Sequence, residues 1–475
     1  MTSLADSTPS PFIAERLGTW VSALHFADVP EHARSAARHA MIDVMGVAFA
    51  GSQFPFARIT RAQGLAESRA GASTIIAGAG AALTAPAAAR LNATSAHVLD
   101  FDANFNVGMV FAPAVLFPAL LAVGEEVGAT GADLLTAFVA GTQTVCTLAE
   151  CLSEQPYRKD RDSLFYKGWF NSAVLGPIGA AAAVSRLLGL DAGRTAHAIA
   201  IATVQAGGLR IAVGSDMKPY LCARASEIGL RAALLARDGG EAPLNAFEGH
   251  RGFIQVINGG AWTAEAFEHL GAFQEPGTSY KLYPACSSVQ AAAEALEFLL
   301  DHHKIDAGEV ATVRCDVTRH IASNLAFPRP ANVTQAQFSM PFALGCLLAR
   351  GRFTADLLTQ DNLEDPTVQA AMGRVEMHPA ELFEDEEAAR NGTEATRVTV
   401  TTHGGRTASH LQAAATGKPI NPMPEALLER KFLRNVAPFL SPDAAETLLQ
   451  RLRTIEDLDD VRHLFAASPV VRDVA

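Results

Sequence analysis

Three short segments carry residues whose types and spacing could move protons or hold anions. The first is Asn92-Ala93-Thr94-Ser95-Ala96-His97-Val98-Leu99-Asp100-Phe101-Asp102, where a helical pattern runs into a His-x-x-Asp-x-Asp cluster. A cluster of this kind concentrates ionisable groups at a helix end and in the following loop, where acid/base residues can face a cleft. The second is Gly214-Ser215-Asp216-Met217-Lys218-Pro219-Tyr220, a turn-rich break between apolar helices. A lysine at a helix start binds a substrate carboxylate or, if desolvated, transfers a proton. The third, Tyr280-Lys281-Leu282-Tyr283-Pro284-Ala285-Cys286-Ser287-Ser288, lies where the pattern of elements changes. Each segment also has an ordinary reading: capping and solvation for the acids, a surface cation for each lysine. His97 is open to two roles, acid/base group or buried residue holding the Asp100 loop by hydrogen bonds.

Other chemistries find no support. The six cysteines are scattered without a CxxC pair, so neither a zinc site nor any other metal centre is expected. There is no GxxxxGK[ST], HExxH or GxSxG. Gly78-Ala79-Gly80 lacks the third glycine and the strand-helix-strand context of a dinucleotide site. The expectation is therefore an enzyme without a cofactor. A net charge of -12 argues against nucleic acid, which is held by clustered Lys and Arg, but not against a small anion in a locally basic cleft. Met1 to Glu15 carries no basic segment leading into an apolar stretch, and no uninterrupted apolar run is long enough for a bilayer. A reduced, cytoplasmic protein away from membranes is the expectation.

The elements that must position these residues are mostly helical. At 475 residues the chain exceeds one ordinary core, and 49% hydrophobic against 19% charged residues suggests extensive burial and an oligomer. Apolar helical patterns cover 12–25, 30–50, 85–99, 113–127, 131–151, 173–188, 192–205 and 223–237, many rich in Ala and Gly. After about Gly271 a helix at 287–303 is followed by β-branched segments at 309–318 and 396–402, with a helix at 337–350 between them. Helical patterns return at 425–435 and 444–452. The fold class is mainly α: a large helical domain over 1–271, a smaller α/β lid domain over 272–408, and C-terminal helices over 409–475 rejoining the first. The acidic run Glu384-Asp385-Glu386-Glu387 reads as a solvated face.

Taken in order, the three segments resemble the MmgE/PrpD family, together with His39-Ala40-Met41-Ile42-Asp43-Val44-Met45-Gly46, Ala173-Val174-Leu175-Gly176-Pro177-Ile178-Gly179, Phe247-Glu248-Gly249-His250-Arg251-Gly252-Phe253 and Gln337-Phe338-Ser339-Met340-Pro341-Phe342. The match is one of whole-chain arrangement over roughly residues 10 to 345. The resemblance implies an all-helical domain built from both chain ends plus an α/β lid, a homodimer, and a polar cleft in which Asp100, Lys218 and Lys281, with His97 matched beside them, are catalytic. Asn104, Trp169 and Tyr220 flank matched positions and are expected to contact substrate. The chain also departs from the family: Asn104 to Phe111 holds no histidine, Phe170 ends a Gly-Phe-His-like pattern, and Leu221 and Gln290 stand where further histidines are usual.

The resemblance implies a cofactor-independent lyase, a dehydratase or decarboxylase, acting next to a carboxylate of a small di- or tricarboxylate or a more hydrophobic relative. Asp100 would transfer the proton, and the lysines would bind carboxylate and stabilise charge. Two alternatives accompany it: an epimerase working by α-proton abstraction, and a carboxylate-binding protein without catalysis.

Overall fold

Alanine and glycine at helix contacts let backbones approach closely, and the centre of the helical part is built this way. In the computed structural model, which describes residues 11–152, 163–380 and 394–465, helices α6 (Gly131–Cys151), α7 (Asn171–Leu187) and α9 (Met217–Arg237) pack together. A Cβ on Gly229 would come within 2.4 Å of the Ala180 Cβ, and one on Gly179 within 2.4 Å of Val145 Cγ2, so neither helix pair tolerates a larger residue at these contacts. Around this centre stand α1 (Ile13–Ala23), α2 (Glu31–Gly51), α3 (Pro55–Glu67), α4 (Ala85–His97), α5 (Ala112–Val127) and α8 (Ala192–Thr203). Helix α6 is long and apolar enough to cross a membrane by length and composition, but it is almost wholly buried against α5 and α7.

The second part of the chain mixes helix and strand. Helix α10 (Phe253–Asn258) precedes α11 (Ser287–His302), α12 (Arg319–Asn324), α13 (Val333–Ala336), α14 (Met340–Arg350), α15 (Gln360–Glu364) and α16 (Pro366–Met372). Two small antiparallel pairs, β1 (Ala70–Thr74) with β2 (Ala82–Leu83) and β3 (Asn104–Phe105) with β4 (Thr278–Ser279), lie outside the main sheet. That sheet has the order β6-β5-β7-β8, from β5 (Val310–Val317), β6 (Val375–Pro379), β7 (Thr396–Thr402) and β8 (Thr407–Gln412). Strand β6 is parallel to β5, whereas β7 and β8 are antiparallel; Cys315 lies opposite Met377 on one side and Val398 on the other. Val313, Cys315 and Val317 alternate inward toward α11 and α14, as a half-buried strand requires.

Strand β8 carries the sheet past residue 408, the limit expected for the lid. Its sequence, Thr-Ala-Ser-His-Leu-Gln, forms a largely solvated edge with no apolar run to announce it. Helices α17 (Glu425–Val436) and α18 (Pro442–Arg453) return to the first part, where Leu428, Phe432, Val436, Leu448 and Leu452 share a core with α1, α2 and α5. A second core joins the sheet and α11 to Val98, Leu99 and Phe101, so the loop after α4 is held between both. The acidic run at 384–387 lies outside the described residues.

Candidate active site

Helix α4 ends at His97 and the chain turns sharply at Asp100, whose φ of +48° places it in the left-handed region. Asp tolerates that conformation better than most side chains. The turn brings the Asp100 carboxylate against two lysines from distant segments. Lys218 lies in the first turn of α9, where the absent N–H of Pro219 removes no helical hydrogen bond. Its Nζ donates to Asp100 Oδ1 at 3.1 Å and lies 2.7 Å from His97 Nε2. Lys281 donates to the same Oδ1 at 2.8 Å and to the Asp100 carbonyl at 2.6 Å. His97 Nδ1 lies 3.0 Å from both oxygens of Asp102, so the network assigns the proton to Nδ1 and leaves Nε2 as acceptor of the Lys218 ammonium.

All five side chains are buried. Burial alone would raise the Asp100 carboxyl, but Lys218 and Lys281 outweigh it and hold the group well below the usual carboxylate range. Burial lowers His97, against the opposing pull of Asp102, which keeps the ring neutral at ordinary pH. Burial would also lower Lys281, but Asp100 and Asp102 raise it on balance. Asp100 is thus paired with two ammoniums, and one of them, Lys218, touches both the cleft and His97.

The cleft that Asp100 and Lys218 line has a volume of about 700 Å3. Aromatic rings stand where histidines were expected from the resemblance. The Lys218 ammonium lies 4.5 Å from the Phe111 ring centre, 5.8 Å from that of Phe170 and 5.6 Å from that of Phe338, and Lys281 lies 5.0 Å from Phe111. Ring faces attract these cations while excluding water. Gln290 acts on the backbone instead. Its Oε1 accepts from the N–H groups of Leu282 and Tyr283 at 2.9 and 3.0 Å, fixing the loop that carries Lys281. Leu221 packs by Gly208.

Of the residues expected to contact substrate, only Asn104 lines the cleft, and its Oδ1 is buried without a protein partner. Trp169 does not line it, because its indole N–H turns to the Ile257 carbonyl at 3.2 Å. Tyr220, two residues along a helix from Lys218, points to another face and packs edge-on against Phe56. The cleft also holds residues the sequence reading missed. There Lys418 bonds to Glu394 at 2.8 Å and to Ser287 at 2.6 Å, and Arg210 bonds to Asn324 at 2.8 Å. Burial would raise Glu394, but Lys418 and His320 hold it at about 2. Burial pushes the cleft-lining Cys286 thiol up to about 11, so it stays protonated. Of these residues, only Cys286 and Ser287 fell within the third segment.

His97, Asp100 and Asp102 present ligand atoms within 4.8 Å of one another, a spacing that could suit a metal ion. Lys218 and Lys281 already occupy the Asp100 oxygen, and their two positive charges balance the two carboxylates. A divalent ion there would have to displace an ammonium from its hydrogen bonds.

The MmgE/PrpD N-terminal domain matches residues 15–265 and the MmgE/PrpD C-terminal domain residues 283–457. The chain belongs to the MmgE/PrpD family. It is an enzyme of the lyase type found there. Similar proteins are a cis-aconitate decarboxylase-like protein of Aspergillus oryzae, 25% identical with 98% of each chain covered, and the cis-aconitate decarboxylase of Homo sapiens, 24% identical over 94% of this chain and 92% of the relative. The cis-aconitate decarboxylase of Aspergillus terreus is 26% identical over 96% and 94%. Within this MmgE/PrpD chain, the N-terminal match holds Asp100 and Lys218, Lys281 lies between the two matches, and the C-terminal match holds the cleft residues Glu394 and Lys418.

Proposed function

We propose that this MmgE/PrpD chain is a decarboxylase of small carboxylates, releasing carbon dioxide and returning a proton to the carbon left behind. The observation that carries this reading is the pairing state of the acids: Asp100 and Glu394, the carboxylates lining the cleft among the described residues, are each bound to an ammonium. A dehydratase or an epimerase removes a proton from carbon with a base, and neither of these carboxylates is free to serve as one. Decarboxylation needs charge stabilisation and an acid, and Lys218 offers both. The names of the relatives support the same reading.

In this mechanism the substrate carboxylate binds at Lys218, with Lys281 adding positive charge from beneath. The bond to the departing carboxyl carbon breaks, and its electron pair stays on the substrate as carbon dioxide leaves. Fixed ammonium charges in a dry aromatic wall stabilise that developing anion without reorganising. Lys218 then gives a proton to the carbanionic carbon, and His97, held by Asp102, keeps the amine oriented until solvent reprotonates it. Asp100 fixes the spacing of the two cations.

The test is an NMR screen of polycarboxylates, beginning with cis-aconitate, in deuterium oxide. The expected result is release of carbon dioxide with one deuteron at the carbon that lost it. Deuterium exchange without loss of carbon would instead support the epimerase, and loss of water the dehydratase. Binding without any turnover would leave the non-catalytic alternative.

A further inference from the structure

The cations of the cleft differ in what neutralises them. Lys218 faces Asp100 and Lys418 faces Glu394. Arg210 has neutral partners: its guanidinium donates to Asn324 Oδ1 and lies 3.6 Å over the Phe165 ring, and it forms no ion pair among the described residues. It is half-buried, and burial lowers its hold on its proton. A desolvated cation without a counter-ion is costly, and an arriving anion relieves that cost. The guanidinium fork suits a carboxylate. Lys167, the other cleft cation without a carboxylate, is exposed and bonds to Asn258 at 2.6 Å.

Arg210 is also fixed relative to the reacting end. Its backbone N–H bonds to the Gly168 carbonyl at 2.8 Å, Leu209 bridges Trp169, and the Phe170 N–H bonds to Gly208 at 2.9 Å. The strand of chain bearing Arg210 is thus tied to the one that supplies the Phe170 wall beside Lys218. The surface carried by these segments, Phe165, Phe170, Leu209, Ile211 and Val213, is apolar.

We infer that Arg210 is a specificity-determining residue that holds a second anionic group of the substrate. The cleft therefore takes a carboxylate whose distal acid is separated from the reacting one by an apolar segment. This rests on the reading above that the reacting carboxylate sits at Lys218 and Lys281.

Isothermal titration of the full-length protein with succinate, glutarate, adipate and pimelate, each against the monoacid of equal length, tests it. The expected result is that at least one diacid binds roughly tenfold to a hundredfold tighter than its monoacid. Arg210→Met removes that preference, and Arg210→Lys restores part of it. Equal binding of every pair by the unaltered protein, or a diacid preference that survives Arg210→Met, overturns the assignment. Lys218→Met separates the two readings. If it weakens monoacids and diacids alike while Arg210→Met changes nothing, only the Arg210 role fails; if it leaves both unchanged, the reading of Lys218 as carboxylate site fails with it.

Discussion

Asp43 and Asp100 are both buried carboxylates gripped by buried lysines, and both clusters anchor the same loop. Lys431 of α17 donates to Asp43 at 2.6 Å and to the Phe101 carbonyl at 2.8 Å, while Asp43 accepts from the Ala103 N–H at 2.9 Å. Lys281 treats Asp100 in the same manner, bonding to its carboxylate and its carbonyl. The difference lies in what else each cluster touches. Lys431 faces the Phe101 ring at 3.9 Å inside the core, whereas Asp100 and Lys218 line the cleft, and Lys218 also meets His97. Burial and charge pairing are therefore common to both clusters, and opening onto the cleft is what separates them.

Exchanging one lysine in each cluster should break the two in different ways. Lys218→Met is expected to lower kcat by about 1,000-fold or more, since it removes both the charge and the acid, while circular dichroism shows a folded protein. Lys431→Met should cost about 3–5 kcal/mol of stability in urea titration by leaving Asp43 buried and unpaired, with kcat per folded molecule within a few-fold. A Lys431 variant that keeps its stability but loses turnover would dissolve the distinction.

The pH dependence of stability sharpens it further. His97 is depressed from 6.5 in the folded state, so the stability it confers is present above that pH and is lost as pH falls below it. Asp100, depressed from 3.8, acts in the same direction lower down: its contribution is full above about pH 4 and lost as pH falls toward its folded value. Melting temperatures of the unaltered protein should decline on acidification from pH 6.5, and His97→Gln should flatten the first part of that decline. A smaller effect is expected at the aromatic wall. Phe111→Leu keeps the site apolar but removes a ring face from both ammoniums, and should lower kcat/KM by about three- to thirtyfold with little change in stability.

Much of this was legible in the chain alone. The helix at Gly131–Cys151 and the strand at Thr396–Thr402 follow directly from apolar periodicity and β-branched composition. The edge strand β8 and the short β6 did not, because solvated strands carry little hydrophobic pattern. Helix α3 also escaped, its Phe56, Ala57, Thr60 and Gly64 making too thin an inward face to stand out. Of the flanking residues, Trp169 and Tyr220 failed as cleft residues for one reason: adjacency in sequence says nothing about which face a side chain takes once the backbone turns.

Asp100, Lys218 and Lys281 could be singled out from the sequence because local chemistry and the family-like order of segments both lead to them. The sequence by itself therefore determined the helical fold class, the absence of familiar cofactor motifs and three residues that the fold brings together. Only the tertiary structure decided what each of them pairs with. Which carboxylate a buried lysine meets depends on partners 118 to 388 residues away, as Lys218 with Asp100 and Lys431 with Asp43 show. Such pairings form through space, where burial strengthens them and aromatic walls exclude water, and no local pattern along the chain records them.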